Sequence, residues 1–143
     1  MIRRKYLENL TEQQLFVLMK IIHPDIIDLN VQSTTSTLDW YVPSLDLYYE
    51  AKCRKYDGST VFIQKDKWDE LRKKNNARYI NSTPSGIYWW DITNMEEPVF
   101  HPSSMKKSQE FAGKNEYVKK EVGDLRKTKS QQIDQILLKD FLY

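Results

Sequence analysis

Three side chains in this sequence have types and spacing suited to chemistry on a charged substrate: Asp39, Glu50 and Lys52. Glu50-Ala51-Lys52 is the one acidic-x-Lys triplet among the 143 residues, and it sits within 47–53 (LYYEAKC), a run with strand character. Side chains alternate with period two along a strand, so Glu50 and Lys52 share a face. Residues 38–42 (LDWYV) also read as a strand, and Pro43-Ser44-Leu45-Asp46 reads as the turn between them. If Val42 pairs with Leu47, Asp39 falls opposite Glu50, with Cβ atoms ~5 Å apart. Carboxylates that close repel one another unless a positive charge lies between them. Oxygen ligation by one or two carboxylates, completed by water and substrate phosphate, is how Mg²⁺ is commonly held. Asp46 is set aside as a turn-capping residue, because four residues of strand place it ~13 Å from Glu50. The opposite face, Leu38, Trp40, Val42, Leu47, Tyr49, Ala51 and Cys53, is the expected core.

The elements that must position these groups are legible on either side. Thr11-Glu12-Gln13-Gln14 has the form of a capping box, and Leu15, Leu18, Met19 and Ile22 recur at helical spacing until His23-Pro24. His23 is expected to serve the end of that helix. Residues 25–37 should hold the first strand and a polar loop, and Val61-Phe62-Ile63 a further strand after the Asp57-Gly58 turn. A helix over 66–75 would bury Trp68 and Leu71, with Lys65, Lys67, Arg72, Lys73 and Lys74 on its outer side. Two strands, 78–80 and 87–92, flank Ser82–Gly86; Trp89 and Trp90 there point to opposite faces, one of them into the core. Past Met95 the chain turns polar and Lys-rich. Residues 96–104 read as a linker, Gly113 and Gly123 as breaks between short helices, and Ser130 as the cap of a last helix. Ile133, Ile136, Leu137, Phe141 and Leu142 would form its apolar stripe, docked on the body or forming a dimer interface. The expected fold is α/β: a central mixed β-sheet of about four to five strands flanked by helices over residues 1–95, and a helical C-terminal extension over 96–143, one domain overall.

Composition narrows the function class. A chain of 143 residues can bury one core without disulfides, and a lone cysteine, Cys53, suits a reducing cytoplasm. No apolar h-region follows the basic N-terminus and no run approaches ~18 apolar residues, so neither export nor membrane insertion is expected. The formal charge of +2 hides a division. Residues 25–50 hold five acids and no Lys or Arg, whereas 51–80 hold nine bases against four acids. An acidic centre in a basic surround suits a polyanion. Gly-rich phosphate loops, Cys/His zinc spacings and serine elbows are absent, and the two histidines, His23 and His101, each precede a proline.

Over roughly residues 10–95 these features resemble the PD-(D/E)xK nuclease superfamily, the restriction-endonuclease-like fold. Asp39 and Glu50-Ala51-Lys52 match its essential positions, and Gln64 followed by Trp68 is similar to the Gln and aromatic of its next helix; Leu38 departs from the proline of the superfamily's name. The resemblance implies a Mg²⁺-dependent DNA endonuclease, with Mn²⁺ able to substitute. Asp39, Glu50 and the Ala51 carbonyl would be the metal ligands, and Glu8 or Glu12 a further carboxylate. Lys52 and Gln64 would be catalytic, and Lys65, Lys67, Arg72, Lys73 and Lys74 would contact DNA. It implies a small stand-alone enzyme of phage or mobile-element type, acting as a homodimer or higher oligomer. A homing-type or other site-specific nuclease and a Holliday-junction resolvase both fit, as does a non-catalytic nucleic-acid-binding module that keeps the fold.

Overall fold

The computed structural model describes residues 10–32, 37–106 and 117–133. Helix α1 (Glu12–Ile22) begins at the expected capping box: Thr11 Oγ1 accepts from the Gln14 N–H at 3.2 Å and Gln14 Oε1 from the Thr11 N–H at 2.9 Å. Leu15, Leu18 and Met19 are its buried stripe, and His23 closes it by donating its backbone N–H to the Met19 carbonyl. A two-residue strand β1 (Ile27–Asp28) and a single turn α2 (Leu29–Gln32) lead to the hairpin of β2 (Trp40–Val42) and β3 (Leu47–Cys53). Its register is Val42 to Leu47, Tyr41 to Tyr48 and Trp40 to Tyr49, as the turn length requires. A 3-10 turn over Pro43–Leu45 closes it, and Asp46 adopts a left-handed conformation (φ 46°). The Asp46 carboxylate accepts from the Tyr41 hydroxyl at 3.0 Å and from Asn75 Nδ2 at 2.9 Å, so it belongs to the turn.

Parallel strands cannot be joined by a tight turn. The chain leaves β3 through β4 (Thr60–Gln64) and α3 (Lys65–Arg72) before β5 (Asn76–Thr83) returns alongside β3, pairing Glu50 with Tyr79 and Lys52 with Asn81. β6 (Gly86–Asp91) folds back on β5 through a turn in which Gly86 takes φ 139°, a value that glycine alone adopts readily. β7 (Phe100–Lys106), β8 (Tyr117–Arg126) and β9 (Gln131–Ile133) complete the described elements. A six-stranded mixed sheet runs β1-β2-β3-β5-β6-β9, and a three-stranded antiparallel sheet runs β4-β8-β7.

Alternation along the large sheet yields two cores. Trp40, Val42, Leu47, Tyr49, Ala51, Ile80, Ile87 and Ile133 pack under α1; Tyr79, Trp90 and Ala77 face Trp68 and Leu71 of α3 with Val61, Ile63 and Leu125 of the small sheet. The second core is therefore roofed by a helix and a sheet together. Among the described residues no helix is long and apolar enough to cross a membrane.

Several expectations are corrected. The main sheet has six strands rather than four or five, and Val61–Ile63 lies in the small sheet. The described part of 96–143 is strand, not helix: Ser130 ends a 3-10 turn, and Ile133 is a buried strand residue paired with Ile87. Pro102 had argued for a linker, yet it sits in β7, an edge strand that tolerates a missing donor. In β8 the inward position beside Leu125 is Gly123, which contributes no side chain to an alternating pattern. Leu38 packs in the α3 core and not with Trp40, and Cys53 is exposed at the end of β3. Helix α3 ends at Arg72, short of the expected 75. Glu8, Gly113, Ile136, Leu137, Phe141 and Leu142 lie outside the described residues.

Gly123 is small because its neighbours are close: a Cβ there would lie 2.7 Å from Pro98 Cγ and 3.0 Å from Phe100 Cε1. Gly123→Ala is therefore expected to destabilise the chain by ~1–3 kcal/mol through overpacking. Thermal unfolding followed by circular dichroism checks this, and a midpoint equal to wild type would contradict the close packing of β8 on β7.

Candidate functional site

The hairpin carries Asp39 and Glu50 to the same face, one residue past the Trp40–Tyr49 pair. Asp39 lies just before β2, anchored through its backbone: its N–H donates to the Tyr49 carbonyl at 3.1 Å and its carbonyl accepts from the Leu29 N–H at 2.9 Å. Its side chain is equally fixed. Oδ2 accepts from the Ala51 N–H and Oδ1 from Asn30 Nδ2, each at 2.9 Å. The sequence reading had no place for Asn30, because the single turn α2 that presents it falls where a strand and loop were expected.

Glu50 is 3% exposed and is one of four polar residues buried among the described ones. Its Oε2 lies 3.5 Å from Lys67 Nζ, while Oε1 is buried with no hydrogen-bond donor. Burial pushes its carboxyl up to about 8, helped by the Asp39 charge and by a carboxyl–carboxylate hydrogen bond to Asp39; Lys67 and Lys52 oppose the rise. Lys52 is half-buried on the same face and makes no ion pair among the described residues. Glu12, in the first turn of α1, enters the same field. Its carboxyl is raised by burial, then by Asp39 and Asp28, with Lys52 acting the other way. The hairpin thus brings Asp39, Glu50 and Lys52 to one side of β3, with Glu12 within electrostatic range of Asp39 and Lys52. Asp39 and Lys52 are half-buried and Glu12 is exposed, so the group opens to solvent on that side.

The donor set suits a hard divalent cation. Among the described residues no group of three or more His, Cys, Asp or Glu side chains is arranged to hold a metal, so the side-chain ligands would be the two carboxylates alone. Mg²⁺ accepts such sparse protein ligation because it keeps several waters. The orphaned Glu50 Oε1, buried beside a second carboxylate, is a position that a cation would satisfy.

The remaining expected residues divide. Gln64 ends β4 at the N-cap position of α3 without capping it, and no hydrogen bond joins it to Asp39, Glu50 or Lys52. Of the five bases assigned to DNA, Lys65 pairs with Asp69 at 2.9 Å, Lys73 with Glu70 at 3.1 Å, and Lys74 lies over the Tyr48 ring at 4.6 Å. Arg72 instead donates to the carbonyls of Ile92, Thr93 and Met95, and Lys67 turns inward to Glu50. The sequence reading missed Arg54, although it continues the alternation of Glu50 and Lys52. Its guanidinium donates to Asn81 Oδ1 at 3.0 Å, the Tyr79 hydroxyl at 2.8 Å and the Phe62 carbonyl at 2.9 Å, and stacks 4.3 Å from the Phe62 ring. Burial pushes the Tyr79 phenol up to about 12, so it stays neutral and donates to the Phe62 carbonyl. This network ties β3, β4 and β5 together behind the carboxylates.

Comparison of the chain with protein-family models, with curated proteins and with solved structures gave no match.

The carboxyl of Glu50 titrates near 4.5 in an unfolded chain and at about 8 in the fold, so between those values the folded state holds the extra proton. Its contribution to stability is full below the unfolded value and is lost as pH rises through the folded one. In chelator, Glu50→Gln is expected to flatten the fall in melting temperature from about pH 5 to about pH 8 and to melt above wild type at the alkaline end. Equal slopes for the two proteins would show that Glu50 is not held protonated.

Proposed function

We propose that this chain is a metal-dependent endodeoxyribonuclease that hydrolyses DNA phosphodiesters with Mg²⁺ at Asp39 and Glu50. The observation that carries the reading is the pairing itself: two carboxylates facing each other across the hairpin, one of them buried with an oxygen that receives no hydrogen bond, beside Lys52, which makes no ion pair among the described residues. Asp39, Glu50 and the Ala51 carbonyl would hold the cation, with Glu12 near enough in charge to add an outer-sphere carboxylate. The bound cation supplies an activated water and stabilises charge developing on the phosphate.

The chain's own residues supply the rest. The Ala51 N–H and Asn30 fix the Asp39 carboxylate, so the ligand geometry is set before substrate arrives. Lys52, on the Glu50 face, would orient the attacking water or hydrogen-bond a phosphate oxygen. Gln64, whose side chain does not cap α3, would orient Lys52 or that water. Exposed ion pairs such as Lys65–Asp69 and Lys73–Glu70 contribute little to stability and can open to DNA phosphates. Arg72 is committed to three carbonyls and is left out of that set. Cutting both strands requires two such centres, which favours a homodimer or higher oligomer on the substrate.

Asp39→Ala, Glu50→Ala and Lys52→Ala are each expected to lower Mg²⁺-dependent cleavage by more than ~100-fold while leaving DNA affinity within about tenfold, because phosphate contacts by surface bases dominate binding. The assay incubates the chain with supercoiled, linear, single-stranded and four-way-junction DNA, with Mg²⁺ or with chelator. Wild-type cutting by any of the three variants would remove the site. Preference for the junction would identify a resolvase, and dependence on a base sequence a site-specific nuclease.

A further inference from the structure

Lys67 is the one predicted DNA contact that turns away from solvent into the carboxylate group. It sits on α3 next to the fully buried Trp68, and its side chain is 27% exposed. Its ammonium lies 2.5 Å from the Thr37 carbonyl and 3.5 Å from Glu50 Oε2. The first contact is a hydrogen bond. The second exceeds the ~2.7–2.9 Å of a charge-assisted one, so Lys67 neutralises Glu50 through space without claiming its lone pairs. The ammonium is thus tethered to the backbone just ahead of Asp39 and leans on the pair as a loosely held counter-charge. A cation between Asp39 and Glu50 would take over that neutralisation and meet the ammonium as a like charge.

We propose that Lys67 is the resident counter-ion of the Asp39–Glu50 pair and that a divalent cation displaces it on binding. The proposal rests on the metal-site reading above. Lys67 then sets how readily metal binds: it keeps the carboxylates together in the metal-free protein and competes with the incoming ion. It is a positioning residue, acting through Glu50. The displaced ammonium remains at the rim of the site on its Thr37 tether.

The test measures Mn²⁺ binding calorimetrically to the metal-free full chain, to Lys67→Met, which keeps the length without the charge, and to Lys67→Arg, which keeps the charge. Lys67→Met is expected to bind Mn²⁺ about tenfold more tightly than wild type, and Lys67→Arg within about threefold of it. A folded Lys67→Met that binds with wild-type or weaker affinity overturns the proposal while leaving the metal site standing. A folded wild-type chain that binds no Mn²⁺ removes the metal site itself, and Lys67 with it. Should Lys67→Met fail to fold, the wild-type chain labelled at lysine Cε is titrated with Mg²⁺, the Lys67 signal being assigned from Lys67→Arg. A saturating shift supports displacement, and an unmoved signal overturns it.

Discussion

The burial of Glu50 beside Asp39 is the constraint on which the site depends. Two carboxylates held on one face of a hairpin, one of them out of water, can stay together only with positive charge near or between them. The protein answers with Lys67 and Lys52 close to Glu50 and with N–H donors on Asp39. None of these donors reaches Glu50 Oε1. A proton shared with Asp39 relieves the pair, and burial holds that proton by raising the Glu50 carboxyl to about 8.

What holds the pair in place is distributed over both layers. The β2–β3 register is fixed by the short turn and by aromatic cross-strand neighbours, Tyr41 with Tyr48 at 4.5 Å and Trp40 with Tyr49 at 6.2 Å. Above the sheet, α1 brings Glu12; below it, α3 brings Lys67. Arg54 joins the parallel strands to β4 through Asn81, Tyr79 and the Phe62 carbonyl. A one-residue slip of β3 would turn Glu50 and Lys52 into the α1 core, so register and chemistry are specified by the same residues.

The hairpin was legible because its signals are local: a four-residue connection counts out the register, and alternation assigns the faces. The capping box and the inward Trp68 and Leu71 of α3 were legible for the same reason. The partition into two sheets was not, since nothing in Thr60–Gln64 says that it pairs with a strand some sixty residues later instead of with its neighbours. Strands β7 and β8 were hidden by Pro102 and Gly123, residues that usually mark loops and here fit an edge strand and a crowded contact. The inward turn of Lys67 was illegible too, because it depends on Thr37 and Glu50 meeting α3 across the fold. For Arg54 a signal existed: it is the next residue on the Glu50–Lys52 face.

The insertion of β8 between β4 and β7 has a bearing on when the molecule comes into being. The roof over the carboxylate layer needs Leu125 against Val61, and Trp90 Nε1 donates to the Arg126 carbonyl at 3.0 Å, so contacts far apart in sequence must close together. A chain still emerging from the ribosome would have the hairpin and α3 exposed without their cover. The second core closes only once β8 has been made, so the layer that carries Glu50 is covered late in synthesis.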